Sequence, residues 1–152
     1  MSSLHLPGVE SRPGWVDTDV GGVRARVVPL GLACCAVEVA AGLDGLDQVG
    51  SGEPDCHVLV VAGTVTHAIA ADVRTVWDAL PEPRVAVAFG ACTISGGPYW
   101  DSYSVQPGLA EVLTASVVVS GCPPGPDTLS AAVAQAVATL GSDRGSRGVE
   151  DA

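Results

Sequence analysis

Three apolar runs in this chain stop at turns that carry cysteine, and this recurrence narrows the available folds more than any other feature. Val85–Phe89 halts at Gly90, Cys92 follows, and then comes TISGGP, rich in residues that accept unusual backbone angles and offer N–H donors. The run from Arg24 to Leu32 leads into Cys34 and Cys35, and the run from Val112 to Ser120 leads into GCPP with Cys122. If these runs are parallel strands of one sheet, four sulfurs meet at its carboxyl edge, where open α/β sheets place their ligands.

Composition limits what such a site could serve. The chain has 152 residues, 47% of them apolar, which is enough for a single core in one domain. Seventeen acidic residues against seven arginines, with no lysine, give a net charge of −10 and argue against a nucleic-acid partner. The most apolar stretch, Val27–Leu43, contains Pro29, Glu38 and two thiols, so it reads as a buried strand and helix and not as a membrane span. No basic segment leads into a uniform apolar run at the N-terminus, so no secretory signal is expected. Five cysteines in a reducing compartment point to metal before disulfides.

Along the chain, Met1–Gly22 shows neither structural period and predicts a flexible arm. Residues 23–140 alternate strand and helix, with about four strands in one parallel sheet. Cys34 and Cys35 open a short helix that ends near Gly42. Both thiols can serve one centre only if the backbone bends between them; otherwise one is a ligand and the other a core thiol. Cys56 begins the strand CHVLVV at the end away from the other sulfurs, and reads as a buried structural thiol. Thr66 is the expected N-cap of a helix over His67–Leu80, whose Ile69, Val73, Val76, Trp77 and Leu80 form an apolar stripe. His67 is a first-turn polar residue. Pro81 and Pro83 stop the helix. Tyr99, Trp100 and Tyr103 either cover the sulfur site, face a partner or roof the core. Pro126 opens a last helix with Leu129, Val133, Val137 and Leu140 inward, and Gly141–Ala152 reads as a flexible polar tail.

Thiolates are soft ligands, and four of them select zinc or an iron–sulfur cluster. Structural zinc usually draws on paired cysteines two to four residues apart. Ligands at 34, 35, 92 and 122 on strand ends fit a cluster in a preformed fold better. Backbone N–H groups of the glycine turns at Gly96, Gly97 and Gly121 would then approach the sulfides and tune the potential. A lone catalytic thiolate would need a histidine base, and His5, His57 and His67 have no evident place beside Cys92 or Cys122.

The segments CCAVE, VLVVAGTVTH, LPEPRVAVAFGACTISGGPYWDSYSV and GCPPGPDTL, in that order, resemble the B-subunit family of NADH:quinone oxidoreductase, respiratory complex I, over roughly Pro29–Leu140. The tandem Cys-Cys separates this resemblance from the related nickel–iron hydrogenase small subunits. It implies a flavodoxin-like core and one 4Fe-4S cluster held by Cys34, Cys35, Cys92 and Cys122, passing electrons towards quinone. Glu38 matches an acidic position just past the tandem pair, where a buried carboxylate would couple proton and electron uptake; the alternative is a capped polar residue. The implied partners are a large quinone- or nickel-site subunit, a ferredoxin-like iron–sulfur subunit and a membrane subunit. The implied location is the cytoplasmic side of the cell membrane, peripheral and held through those partners.

The chain departs from the family pattern in two places. The longer segment with an arginine-phenylalanine-glycine element that helps form the quinone cavity is replaced by LDGLDQVGSGEP, and the amphipathic N-terminal helix is not evident. Both departures bear on direct quinone contact and leave cluster binding untouched. A second reading is a small subunit of a membrane-bound nickel–iron hydrogenase-like or ferredoxin-linked complex. A third is a shortened structural paralogue without turnover, against which the retention of all four cysteines speaks. No GxGxxG or P-loop is present, so the chain by itself would not oxidise NADH.

Overall fold

The computed structural model describes residues 14–147. The elements are β1 (Val16–Val20), β2 (Val23–Gly31), α1 (Cys35–Asp44), β3 (Cys56–Ala62), α2 (His67–Ala79), β4 (Arg84–Phe89), α3 (Ala91–Ser95), β5 (Val117–Val119) and α4 (Thr128–Arg147). They build one five-stranded sheet in the order β1-β2-β3-β4-β5. The four strands β2 to β5 are mutually parallel, as the alternation of strands and helices required.

β3 is buried along its whole length, and β4 along all but its first residue. Such central strands read as continuous apolar runs because helices cover both of their faces. On one face, Val58, Val60, Val85 and Val87 pack against Val39 of α1 and Leu129, Val133 and Ala136 of α4. On the other, Leu59, Val61, Ala86 and Ala88 receive the stripe of α2, with Val73 fully buried and Ile69, Val76, Trp77 and Leu80 partly so. α1 therefore leaves β2 towards one face while α2 leaves β3 towards the other.

Four expectations are corrected. The arm expected over Met1–Gly22 is not irregular throughout: Val16–Val20 pairs antiparallel with β2, turning at Gly21 and Gly22, both at positive φ as a two-residue hairpin turn demands. Met1–Pro13 lie outside the described residues. Periodicity missed β1 because its buried residues are polar, Asp17 and Thr18. Arg26 on β2 donates to both carboxylate oxygens of Asp17 at 2.7 and 3.0 Å, and the Thr18 hydroxyl donates to the Asp47 carbonyl at 3.0 Å. Second, β5 spans only Val117–Val119, not Val112–Ser120, because the chain runs alongside β4 in ladder register only there. Third, α4 continues through Gly141 to Arg147, where a tail was expected; residues 148–152 lie outside the described part. Fourth, Thr66 does occupy the N-cap of α2, but its side chain makes no capping bond.

The hydrogen bond from Arg26, followed by its charge, holds the Asp17 carboxyl below its ordinary value of 3.8 against the opposing effect of burial. A lowered carboxyl contributes stability that is present above the unfolded value and lost as pH falls from 3.8 through the folded one. Asp17→Asn should therefore cost about 2 kcal/mol in urea unfolding at pH 7, the usual worth of charged hydrogen bonds. The gap to wild type should close below pH 3.8, and a constant gap down to pH 3 would contradict this origin.

Candidate functional site

Cys34, Cys92 and Cys122 each stand three residues beyond the last residue of a parallel strand: Gly31, Phe89 and Val119. Because β2, β4 and β5 run in the same direction, the three turns meet at one edge. Backbone hydrogen bonds join them there. Leu32 N–H donates to the Ala62 carbonyl, Gly90 N–H to Val119 and Ala91 N–H to Gly121, each at 2.8 Å. The last two bonds bring the turns of Cys92 and Cys122 alongside each other.

Cys34 occupies the N-cap of α1 with helical backbone angles, and Cys35 is its first residue. The adjacent thiols thus share one helical turn, and the bend expected as a condition for joint binding is absent. Cys34 nonetheless acts on Cys35 through both a hydrogen bond and its charge, so the two sulfurs stand close on one helical turn. Cys35 and Cys92 are buried while Cys34 and Cys122 are exposed. Cys92 lies on the single turn of α3, where an irregular glycine loop was expected. Burial pushes the Cys35 thiol up to about 11, reinforced by the charge and hydrogen bond of Cys34 and by the charges of Cys92 and Cys122. The other three sulfurs are therefore close enough to act on Cys35 electrostatically.

Two glycines make room for this gathering. A Cβ on Gly90 would lie 2.6 Å from the Cys35 sulfur, and one on Gly97 would lie 3.0 Å from the Cys92 sulfur. Gly90 also has φ of 101°. Thr93 belongs to none of the motifs in the chain, yet it is fully buried and its hydroxyl sits at the centre of the edge. Its oxygen accepts from Gly63 N–H at 2.9 Å and lies 2.9 and 3.1 Å from the carbonyls of Gly63 and Phe89. Thr93 so ties the turn after β3 to the helix that carries Cys92. A lone threonine inside ACTIS carries no sequence signal of that role; only its partner across 30 residues reveals it.

The other sequence candidates fall elsewhere. Cys56 is buried in the core at the opposite, amino end of β3, as expected for a structural thiol. Glu38 lies one turn beyond Cys34 in the first turn of α1 and is half-buried, which leaves both readings of it open. Tyr99, Trp100 and Tyr103 are exposed and do not roof the core. Their segment crosses the start of α2, with His67 N–H donating to the Ser104 carbonyl at 2.9 Å and Gln106 N–H to Val65 at 2.8 Å. Among the described residues, no three His, Cys, Asp or Glu side chains form a group able to hold a single metal ion.

The family described as "NADH ubiquinone oxidoreductase, 20 Kd subunit" matches residues 29–136, a span that encloses all three cysteine turns. The chain belongs to this family. Its relatives include the NADH-quinone oxidoreductase B subunit of Akkermansia muciniphila, 41% identical over 121 residues, covering 74% of this chain and 60% of that protein. A B subunit of the NADH-quinone oxidoreductase of Salinispora tropica is 40% identical over 111 residues, covering 68% and 59%. One chain of an archaeal membrane-bound sulfane sulfur reductase is 29% identical, with 55% of this chain and 45% of that one covered and a TM-score of 0.46. The chain spans about three fifths of the length of the two B-subunit relatives.

At the cysteine edge of this family member, the packing around Gly90 and Thr93 is open to direct test. Gly90→Ala should destabilise by roughly 2 kcal/mol or more, since both φ and the Cys35 sulfur oppose a methyl group. Thr93→Val keeps the shape but strands the Gly63 N–H, and should cost about 1–3 kcal/mol. Denaturant midpoints equal to wild type in both variants would show that the edge is loosely packed.

Proposed function

We propose that this chain is an electron-transfer subunit of a multisubunit oxidoreductase, holding one 4Fe-4S cluster through Cys34, Cys35, Cys92 and Cys122. The observation that carries the proposal is the meeting of four thiols at the carboxyl edge, where the buried Cys35 feels the other three. The donor set fits the group on three grounds. Four sulfurs are soft ligands suited to iron. Cys35 needs a neighbouring positive centre before it will ionise near neutral pH, because burial and three sulfurs hold its proton on. Single-ion coordination would require sulfurs about 4 Å apart around one zinc, given Zn–S of about 2.3 Å. Cys34, Cys35, Cys92 and Cys122 instead lie on turns that follow three separate strands, which is not the paired knuckle of structural zinc.

When bound, the cluster supplies one-electron redox chemistry. The chain's own part is to bind and shield. Cys35 and Cys92 would hold the cluster with buried sulfurs, and Cys34 and Cys122 with exposed ones. The Gly90 and Gly96 amides already donate to the Val119 and Cys92 carbonyls, so amides of the glycine turns that tune the potential would be those of Gly97 and Gly121. The relatives are NADH-quinone oxidoreductase subunits, and we assign the same direction of flow here, from a ferredoxin-like iron–sulfur subunit towards quinone in a large partner subunit. Val37, Tyr99, Trp100, Tyr103 and Val118 of β5 are the exposed large apolar side chains among the described residues, and an electron carrier needs a partner surface close to its centre. Among the described residues no helix is long and apolar enough to cross a membrane. Our reading places the chain on the cytoplasmic side of the membrane, held there by a membrane subunit and its other partners.

Anaerobic reconstitution with iron and sulfide, followed by metal and acid-labile sulfide analysis and low-temperature electron paramagnetic resonance, tests the proposal. We expect one cluster per chain, lost in Cys92→Ser and in Cys122→Ser but intact in Cys56→Ser. Stoichiometric zinc without labile sulfide would overturn it. Glu38, four residues after Cys34 and so on the same side of α1, is our candidate for proton coupling at its carboxylate. Glu38→Gln should flatten the pH dependence of the reduction potential measured in the loaded protein. An unchanged slope would leave Glu38 only a favourable charge in the first turn of a helix.

A further inference from the structure

The amino edge of the sheet carries a row of ionisable side chains that the sulfur site does not use. The strand register sets Asp17 of β1 beside Arg26 of β2, Arg26 beside His57 of β3, and His57 beside Arg84 of β4. The row lies on the face that α2 covers, because its members share parity with Leu59, Val61, Ala86 and Ala88. Both ends of the row are satisfied. Arg26 grips Asp17, donates to the Gly52 carbonyl at 2.9 Å and lies 3.8 Å from the centre of the Trp15 ring. Arg84 donates to the carbonyls of Trp77 and Leu80 at 2.6 and 3.0 Å and lies over the Trp77 ring.

The middle of the row is not satisfied. His57 is 8% exposed, and its Nδ1 is buried without a hydrogen-bond partner among the described residues. The groups around it are Arg26 from β2, Asp17 from β1, Arg84 from β4, Glu53 from the connection before β3, and the Pro81 carbonyl after α2. Glu53, Asp55 and Glu82 also line a cavity of about 240 Å³ beside the ring.

The same arginine holds a strap. Residues 50–55 cross the start of β2, where Arg26 binds Gly52, the Arg24 guanidinium binds the Gly50 carbonyl, and Arg24 N–H donates to the Asp55 carboxylate at 2.8 Å. Asp55 N–H returns a bond to the Arg24 carbonyl at 2.8 Å.

We propose that His57 is an acid-sensitive latch, and that its uptake of a proton releases the 50–55 strap from β2. A neutral imidazole needs only one donor and one acceptor contact, whereas the imidazolium has two N–H donors. The new cation would stand between two guanidiniums with Nδ1–H facing no acceptor. Arg84 is anchored on two helix-end carbonyls and on Trp77, while Arg26 is shared with the strap. Repulsion is therefore relieved most readily by Arg26 letting go of Gly52, and Glu53 is the carboxylate that would move in to meet the imidazolium.

Burial, and next to it the charge of Arg26, hold His57 below its ordinary value of 6.5 while the strap is closed. Opening exposes the ring and restores that value, so the closed state is favoured above pH 6.5 and loses ground as pH falls through the window beneath it. Within that window the population of the open form rises by up to about tenfold per pH unit. The Asp17 carboxyl titrates only below 3.8 and cannot produce the effect.

Amide hydrogen exchange of the full chain between pH 7.5 and 5.5, normalised for intrinsic exchange, tests this latch independently of any bound cluster. Peptides covering 48–56 should show opening that rises up to about tenfold over the whole range, most of it in the last unit, while those covering β4 stay constant. His57→Gln should abolish the rise. A flat wild-type profile, or the same rise in His57→Gln, would overturn the proposal. If His57→Gln does not fold, the wild-type protein decides by nuclear magnetic resonance. The midpoint of the His57 ring titration must coincide with that of the strap amides, and separate midpoints would refute the latch.

Discussion

Parallel pairing of β2, β3, β4 and β5 is the constraint on which the candidate site depends, because parallel strands deliver their following turns to the same edge. An antiparallel arrangement of the same runs would scatter the cysteines over both edges. The pairing alone does not finish the site. The turns are drawn together by N–H groups of Leu32, Gly90 and Ala91 that continue the ladders beyond the strands, and by the Thr93 hydroxyl, which satisfies buried backbone groups on two of the turns. Buried polar groups must be paired, so each of these contacts also limits how far a sulfur can stray.

The two edges of the sheet have different chemistry. The carboxyl edge collects thiols, glycine turns and exposed aromatic side chains, which suits a redox centre beside a partner. The amino edge collects Asp17, Arg26, His57 and Arg84 and uses them to fasten the hairpin and the connection before β3. That connection is the short LDGLDQVGSGEP. It also pairs with the outer edge of β1 through Thr18 and Gln48, so the segment covers a strand edge that would otherwise be open. Burying a carboxylate on β1 is tolerable because Arg26 meets it with two aligned hydrogen bonds.

Where the pattern in the chain was strong, it was legible. β3 and β4 are apolar runs bounded by turn residues, and α2 and α4 show one-sided stripes, so their places follow from periodicity. β1 was not legible, because VDTDV buries Asp17 and Thr18, and their partners lie on β2 and at Asp47. α3 was hidden for the opposite reason. Its five residues are too few for a period, and the glycines around it read as loop. The run before Cys122 looked like a long strand, yet the chain pairs with β4 only where Val117–Val119 lie alongside it.

The amino-acid sequence by itself determined the alternation of strand and helix, the four cysteines beyond strand ends and the separate, structural place of Cys56. These features rest on local periodicity and on residue types whose chemistry is independent of context. Only the tertiary structure decided that Cys35 is buried among three other sulfurs, that Thr93 ties two turns together, and that the His57 ring, with its Nδ1 buried and without a partner among the described residues, is set beside Arg26 and Arg84. Each of these depends on residues far apart in the chain, brought side by side by strand register, and no local pattern encodes such a meeting.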